Sequence, residues 1–273
     1  MKKIIIIMAL IIMAIIAGIF LITYHKAEAD VTETATKVGV IMNGSKTDRS
    51  WNQAHYEGLE KTAAELNLDI TYKECVTEDK VTEIINGFAK DNCKIIIAGS
   101  FEFGKYMVEG AEKYPEIFFF HATGTESGKN MSSYFGRMYQ MRYLTGIAAG
   151  LQTETNEIGY VAAFPISEVN RGINAFTLGV KSVNPEAKVY VKWTNSWGDN
   201  SLTAEVTEKL ISSHNIDILA MHSDSLEPVR IADKHGIMSI GYNVDNSSLY
   251  PDTFLTAAVW DWEIFYMPNI LKC

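Results

Sequence analysis

This sequence of 273 residues has few cysteines and no excess of basic charge. Its three cysteines, Cys75, Cys93 and Cys273, are an odd number, so they predict no disulfide framework. No pair of them has the spacing of a zinc site. The formal net charge is −9 and no basic stripe is present, which argues against sequence-independent binding to nucleic acid.

The usual signatures of a catalytic centre are also missing. No two histidines have the i, i+4 spacing of a helical zinc site, and Gly99-Ser-Phe-Glu-Phe-Gly104 fits neither a nucleophile elbow nor a dinucleotide fingerprint. His222 and Asp224 could form a metal pair or a general-base pair, but at a strand end we favour a hydrogen bond to a ligand. We therefore predict no enzyme, no catalytic residue, no metal and no cofactor.

A long apolar segment opens the chain. Lys2 and Lys3 precede an uncharged run over residues 4–23, and Ala27-Glu28-Ala29 then has the small-x-small pattern of a signal-peptidase site. The run is also long enough to span a bilayer, which needs about 20 residues. Residues 1–29 are predicted to be either a cleaved signal peptide or a retained membrane anchor, with the rest of the chain outside the cytoplasm.

The region Lys37–Leu66 sets the pattern for the rest of the chain. An apolar strand from Val38 is followed by a polar turn and then by a helix, at whose start Ser50 and Gln53 have the spacing of a capping box. The alternation continues in a first series, with strands at 70–76, 94–98 and 117–122, and breaks at 123–133. A second series follows, with strands at 158–163, 189–193, 216–221 and 237–241.

Two series of alternating strands and helices predict an α/β fold of two Rossmann-like lobes with doubly wound parallel sheets. The first lobe is expected to cover residues 37–133 and the second residues 134–249. Residues 250–273 are expected to return to the hinge and the first lobe. A helix near 138–151 is rich in glycine and alanine and should pack closely against its neighbour.

Polar and aromatic side chains follow several of the predicted strands, where open α/β sheets bind ligands. Trp51 in the first lobe and Trp197 in the second could sandwich a planar ring, while nearby acids and amides orient its polar groups. Trp51 could instead be a packing residue at the start of its helix. Phe101, Phe103 and Phe164 could line the cleft, but we expect at least two of them to pack in the core.

Several longer motifs resemble the basic membrane protein family of ABC-transporter substrate-binding proteins, which includes purine nucleoside receptors. The matching stretches include Asp48-Arg-Ser-Trp-Asn-Gln53, Gly99-Ser-Phe-Glu-Phe103, Tyr134-Phe-Gly-Arg137, Ile158-Gly-Tyr-Val-Ala-Ala-Phe-Pro-Ile166, Asn195-Ser-Trp-Gly-Asp199 and Gly241-Tyr-Asn-Val-Asp245. The resemblance implies a type I periplasmic-binding-protein fold that closes around a purine nucleoside or nucleobase and delivers it to an ABC permease in the membrane.

The resemblance places the two stacking aromatic residues on Trp51 and Trp197 and the ribose-binding acid near Asn243. The sequence departs from the family pattern in three ways: both stacking residues are Trp where Phe is common, Trp260 stands where several members have Lys, and a first-lobe ligand Asp of the family is replaced near His121. The signal region contains no cysteine, so the lipid anchor usual in the family is not implied.

Taken together, the sequence predicts an extracytoplasmic solute receptor that is a monomer and binds no nucleic acid. The alternative is a membrane-anchored small-molecule sensor of the same fold, and a third possibility is a nucleoside hydrolase. The final segment is short for a closing helix, so we expect a fold truncated at its C-terminus. The predicted ligand-binding residues are Asp48, Trp51, Asn52, Phe101, His121, Trp197, Asp199, His222, Asp224, Asn243 and Asp245.

Overall fold

The structure is a computed structural model in which residues 34–273 are described. The predicted signal peptide or anchor over residues 1–29 lies outside the described residues. In the part of the chain from residue 34 onward, no helix combines the length and the apolar character needed to cross a bilayer.

The first lobe is built on five parallel strands in the order β2-β1-β3-β4-β5. Short apolar runs form its centre: Val38 pairs with Ile70 on one side and with Ile95 on the other, and the central strands are buried. The strands are β1 (Thr36–Ile41), β2 (Leu68–Lys73), β3 (Ile95–Ala98), β4 (Phe118–Ala122) and β5 (Met131–Tyr134), and the helices are α1 (Trp51–Leu66), α2 (Val81–Lys90) and α3 (Gly104–Lys113).

The second lobe repeats this plan with five parallel strands in the order β10-β9-β8-β6-β7. Its strands are β6 (Glu157–Ala162), β7 (Lys188–Trp193), β8 (Ile218–His222), β9 (Met238–Asn243) and β10 (Phe254–Val259), and its helices are α4 (Met138–Gln152), α5 (Ser167–Val183), α6 (Asn200–Ser213) and α7 (Glu227–Lys234). The two-lobed α/β prediction is therefore confirmed, and the predicted strand limits differ from the observed ones by at most three residues.

The last residues of the chain divide between the lobes. β10 pairs in parallel with β9 and so extends the second sheet, with Ala257 opposite Gly241. The chain then crosses to the first lobe, where α8 (Glu263–Ile270) packs against α1. A Cβ atom on Gly58 of α1 would lie 2.8 Å from Cβ of Trp262, so this close approach requires glycine. β10 belongs to the segment 250–273, which was expected to return to the hinge and the first lobe, but it extends the second sheet.

Two local expectations from the sequence are wrong. The alternation was expected to break at 123–133, but Met131–Tyr134 forms β5, which lies at the edge of its sheet and pairs with β4 through backbone bonds. Ser50 makes no capping bond. Asp48 accepts hydrogen bonds from the backbone N–H groups of Asn52 and Gln53 instead, at 3.1 and 3.0 Å. A carboxylate two residues before the N-cap residue reaches the same free N–H groups as a capping serine would.

Helices α4 and α5 pack unusually closely, as the glycine-rich sequence predicts. A Cβ atom on Gly146 would lie 2.1 Å from the carbonyl oxygen of Phe176, and one on Gly179 would lie 2.0 Å from that of Tyr143. Glycine at both positions lets the two backbones touch. The contact lies in the second half of α5, whose first turn carries part of the site described next.

Candidate functional site

A cavity of about 620 Å³ lies between the two lobes, at the carboxyl ends of their strands. From the first lobe it is lined by Asn43, Trp51, Gly99, Ser100, Phe101, Glu102, Thr123, Gly124 and Thr125. From the rest of the chain it is lined by Phe135, Phe164, Ile166, Ser167, Glu168, Arg171, Trp197, Asp224 and Tyr242. Its volume lies within the range of typical small-molecule sites, about 300–1,000 Å³.

Trp51 forms the aromatic wall of the first lobe. Its ring is 8% exposed, and its Nε1 atom donates a hydrogen bond of 2.5 Å to the carbonyl oxygen of Gly99. The ring stands nearly perpendicular to Trp260 and Trp262, with centroid distances of 5.8 and 5.5 Å. Trp262 in turn stacks on Trp260 and His55, at 4.4 Å from each. Trp51 is thus both a packing residue of its helix and a cavity residue.

Trp197 forms the facing part of the second lobe. It follows β7, is half-buried, and lies 5.7 Å from the ring of Phe164. Phe101 also lines the cavity and is 65% exposed. The expectation that at least two of Phe101, Phe103 and Phe164 pack in the core is therefore wrong, because only Phe103 is fully buried there. Phe101 and Phe164 come shortly after β3 and β6, and the turns that follow these strands place both rings at the cavity.

Asp224 is a half-buried cavity carboxyl with acidic neighbours. Its Oδ1 atom accepts a hydrogen bond from Nδ2 of Asn243 at 3.0 Å, and its backbone N–H donates to the carbonyl of Trp197. Burial, followed by the nearby charge of Asp48, raises the pKa of Asp224 to about 8. Its carboxyl is therefore protonated at neutral pH and can donate a hydrogen bond.

Glu168 is a second cavity carboxyl, with the opposite electrostatic setting. Its Oε1 atom lies 3.2 Å from Nε2 of His222, a buried side chain at the end of β8. Burial raises the pKa of Glu168, but the contact with His222 and the charge of Arg142 outweigh burial, so the pKa lies below its ordinary value. Burial, followed by the charge of Arg142, lowers the pKa of His222.

Arg142 of α4 provides a buried positive charge behind the cavity. The side chain is fully buried, and its Nη1 atom donates a hydrogen bond of 2.8 Å to the carbonyl of Met221. The guanidinium lies 3.9 Å from the ring centroid of Tyr242, which lines the cavity. Its Nε and Nη2 atoms have no hydrogen-bond partner among the described residues.

Of the predicted ligand-binding residues, Trp51, Phe101, Trp197 and Asp224 line this cavity together. Asp48 and Asn52 bond to each other at the start of α1, and the ring of His121 contacts the carbonyl of Ser100 at 2.7 Å. These three side chains are occupied by internal bonds and do not line the cavity.

The predicted residues of the second lobe are also divided. Asp199 is exposed, caps α6 and lines a neighbouring open groove, while Asp245 is exposed and accepts a bond from Ser247. Both lie outside the cavity because short turns use their carboxylates. His222 lies behind Glu168, and its position is set by the end of β8.

Asn243 links the two lobes and does not line the cavity. Its Nδ2 atom donates to Oγ of Ser50 at 2.8 Å and to Asp224, and its Oδ1 atom accepts from Nε1 of Trp260 at 3.0 Å. The backbone of Asn243 is left-handed, with φ 71°. Its amide thus holds Asp224, the aromatic wall and the start of α1 together.

Several residues that line the cavity were not among the predicted ligand-binding residues, above all Asn43, Glu102, Phe135, Glu168 and Tyr242. Glu102 and Glu168 follow strands β3 and β6 at the start of a helical turn, as Trp51 follows β1. Open α/β sheets bind ligands at the carboxyl ends of their strands, and we call this the strand-end rule. Applied to every strand, it could have found both residues. Across residues 34–273, no group of three or more His, Cys, Asp and Glu side chains is arranged to hold a metal ion.

Residues 35–273 match the family described as ABC transporter substrate-binding protein, PnrA-like, and the chain belongs to this family. The resemblance read from the motifs is thereby confirmed. A relative from Haloferax volcanii that is named as a glucose-binding ABC transporter protein is 38% identical over 224 residues, covering 82% of this chain and 57% of its own length. A purine-binding protein of Brucella abortus is 35% identical over 238 residues, covering 86% of this chain and 68% of its own.

Solved structures show the same fold. A transcriptional activator of the comK gene from Bacillus halodurans superposes with a TM-score of 0.74 at 26% identity, over 85% of this chain and 80% of the other. A solute-binding protein of an ABC transporter system from Aeropyrum pernix gives a TM-score of 0.76 at 19% identity, over 87% and 70%. The fold is that of type I periplasmic binding proteins.

Proposed function

We propose that the protein is the extracytoplasmic solute-binding component of an ABC importer, and that it binds a purine nucleoside or nucleobase between its lobes. The observation that carries this proposal is the shared cavity, which Trp51 lines from one lobe and Trp197 from the other. Membership of the family supports the transport role, and the name of the Brucella relative supports the ligand class.

The cavity has the chemistry that a flat, polar ring requires. A base stacked on an aromatic side chain gains about 1–3 kcal/mol. The edges of the ring would meet Glu102, Glu168 and Asp224, which all line the cavity. A few polar groups among aromatic walls are typical of sites that orient a small ligand.

Closure around the ligand follows from the position of the cavity. A solute that contacts both lobes binds the closed form better than the open form, and so shifts the population towards it. In this proposal the closed form is the one that the membrane permease recognises. The protein acts as a monomer and needs no cofactor.

Isothermal titration calorimetry tests the ligand class. The purified protein is titrated with adenosine, guanosine, inosine, adenine, guanine and glucose at neutral pH. Glucose belongs in the panel because the Haloferax relative is named for it. Saturable heat with at least one purine and none with glucose supports the proposal, while binding of glucose alone refutes it.

A second candidate function is a membrane-anchored sensor. It is favoured by similarity to a protein of Bacillus subtilis named as a transcriptional activator, which is 26% identical over 226 residues, and to the Bacillus halodurans structure. The two functions differ in the cell. An importer component makes purine uptake depend on the gene, whereas a sensor leaves uptake unchanged in a deletion strain.

We also propose that binding is not followed by catalysis. A nucleoside hydrolase would release free base from inosine, and chromatography of inosine incubated with the protein measures this directly. Recovery of intact inosine is the expected result.

A further inference from the structure

Glu168 is a cavity carboxyl whose position and contacts restrict the kind of ligand that can bind. It lies in the first turn of α5, directly after β6, and its side chain is 24% exposed while it lines the cavity. On its other side, Oε1 lies 3.2 Å from the buried ring of His222. The carboxylate therefore contacts His222 on one side and is open towards the cavity on the other.

The charge of Glu168 is matched to a buried cation. The fully buried guanidinium of Arg142 has no carboxylate within 4 Å among residues 34–273. A buried charge without compensation is costly, and the nearby negative charge of Glu168 offsets it. Arg171, which lines the same cavity, also favours the charged form of Glu168. Glu168 is thus kept as an ionised carboxylate, which accepts hydrogen bonds and donates none.

We propose that Glu168 determines which purine binds, by favouring a ring edge with two adjacent N–H donors over an edge that mixes a donor with an acceptor. This inference rests on the proposed function. The 2-amino-6-oxo edge of guanine offers two neighbouring donors to the two carboxylate oxygens. Adenine offers one amino donor beside a ring nitrogen, whose lone pair faces a carboxylate unfavourably. The ligand class is therefore a 2-amino-6-oxopurine or its nucleoside.

Asp224 fits the same ligand. It lines the same cavity and, with a pKa raised to about 8 by burial, can donate a hydrogen bond at neutral pH. A guanine ring carries a carbonyl acceptor next to its N–H donors. The cavity thus contains one carboxylate that accepts and one carboxyl that donates, which complements a ring edge of that kind.

Substitution of Glu168 by glutamine turns this inference into a measurable change of specificity. A carboxamide has one acceptor and one donor, the pattern that pairs with adenine. Calorimetry at pH 7 gives Kd values for guanine, guanosine, adenine and adenosine. We expect the wild-type protein to bind the guanine compounds at least about 10-fold more tightly. Glu168→Gln should weaken guanine binding by about 5–150-fold and make adenine the better ligand.

Two further variants separate specificity from structure. Glu208 contacts His235 at 2.8 Å on the exposed surface, so Glu208→Gln removes a carboxylate from a similar pair far from the cavity and should keep the wild-type order. Glu168→Asp keeps the charge on a shorter side chain. It should bind more weakly but still prefer guanine, which provides a test should Glu168→Gln fail to fold.

Several results would overturn the inference and leave the proposed function standing. These are a wild-type protein that binds adenine at least as tightly as guanine, or a Glu168→Gln variant that melts at a lower temperature but keeps the guanine preference. The second result would assign Glu168 a purely structural role. A wild-type protein that binds no purine would overturn both the inference and the proposed function.

Discussion

The aromatic wall of the second lobe gives the sharpest prediction, because Trp197 can be removed with little damage to the core. Trp197 is half-buried and touches the edge of the second-lobe core through its neighbours. If it stacks on the ligand, Trp197→Ala loses about 1–3 kcal/mol of binding free energy, which is a Kd increase of about 5–150-fold. Trp197→Phe keeps a ring and should lose about fivefold or less.

Trp193 provides the matched control. It lies at the end of β7 in the same lobe, is also half-buried and packs against the same core, but does not line the cavity. Trp193→Ala should therefore lower the melting temperature about as much as Trp197→Ala does, while leaving the Kd within about twofold of the wild-type value. The assay is calorimetry with the tightest purine of the panel, paired with thermal denaturation of each variant without ligand.

The reasoning would be refuted if Trp197→Ala bound the purine as tightly as the wild type, or if Trp193→Ala weakened binding equally. The first result would show that Trp197 lines the cavity without contacting the ligand. The second would show that loss of lobe stability, and not loss of stacking, weakens binding.

Three further predictions concern stability. Because the pKa of Asp224 is raised, the folded state holds a proton that the unfolded state has released. The free energy of unfolding should therefore fall as pH rises from about 4 to about 8. Asp224→Asn should flatten this part of the curve of unfolding free energy against pH. Gly146→Ala should lower the free energy of unfolding by about 1–3 kcal/mol, because its Cβ atom would meet the backbone of α5. Gly87 has open space around it, so Gly87→Ala should raise the free energy of unfolding by up to about 1 kcal/mol. Asp48→Ala should lower the free energy of unfolding by about 0.5–2 kcal/mol, because the cap of α1 is lost.

Each of these has a simple check. Melting temperatures between pH 4 and pH 9 test Asp224, and a slope unchanged in Asp224→Asn would contradict its assignment. Urea denaturation tests the glycines, where equal effects at Gly146 and Gly87 would show that the α4–α5 contact can relax. For Asp48, a variant as stable as the wild type would mean that other groups or water replace the cap.

The order of strands and helices was readable from the sequence because it depends on local patterns. Apolar runs such as the one at Val38 predicted the central strands, since strands buried on both faces contain few polar residues. β5 was missed because it lies at the edge of its sheet, where backbone pairing suffices and an apolar run is not needed. The missing cap bond of Ser50 could not be foreseen, because two residues with suitable side chains compete for the same N–H groups.

The candidate site shows the same division. The strand-end rule found Trp51, Trp197 and Asp224, because it needs only the position of a residue relative to its strand. It could not separate these from Asp199 or Asp245, which follow strands equally well but serve local turns on the surface. Which side chain enters the cavity depends on the exact turn, and that depends on contacts with distant residues.

The sequence by itself determined the two-lobed α/β fold and the presence of an aromatic residue and acids at the strand ends of each lobe, because these follow from periodicity and from neighbouring residues. It also indicated the family, through motifs that resemble those of its members. Only the tertiary structure decided that Asn243 of β9 joins Ser50 and Trp260, and that Glu168 faces the cavity with His222 and Arg142 behind it. Those contacts join residues far apart in the chain. The charges and pKa values of the site depend on burial and on such neighbours, which no local pattern contains.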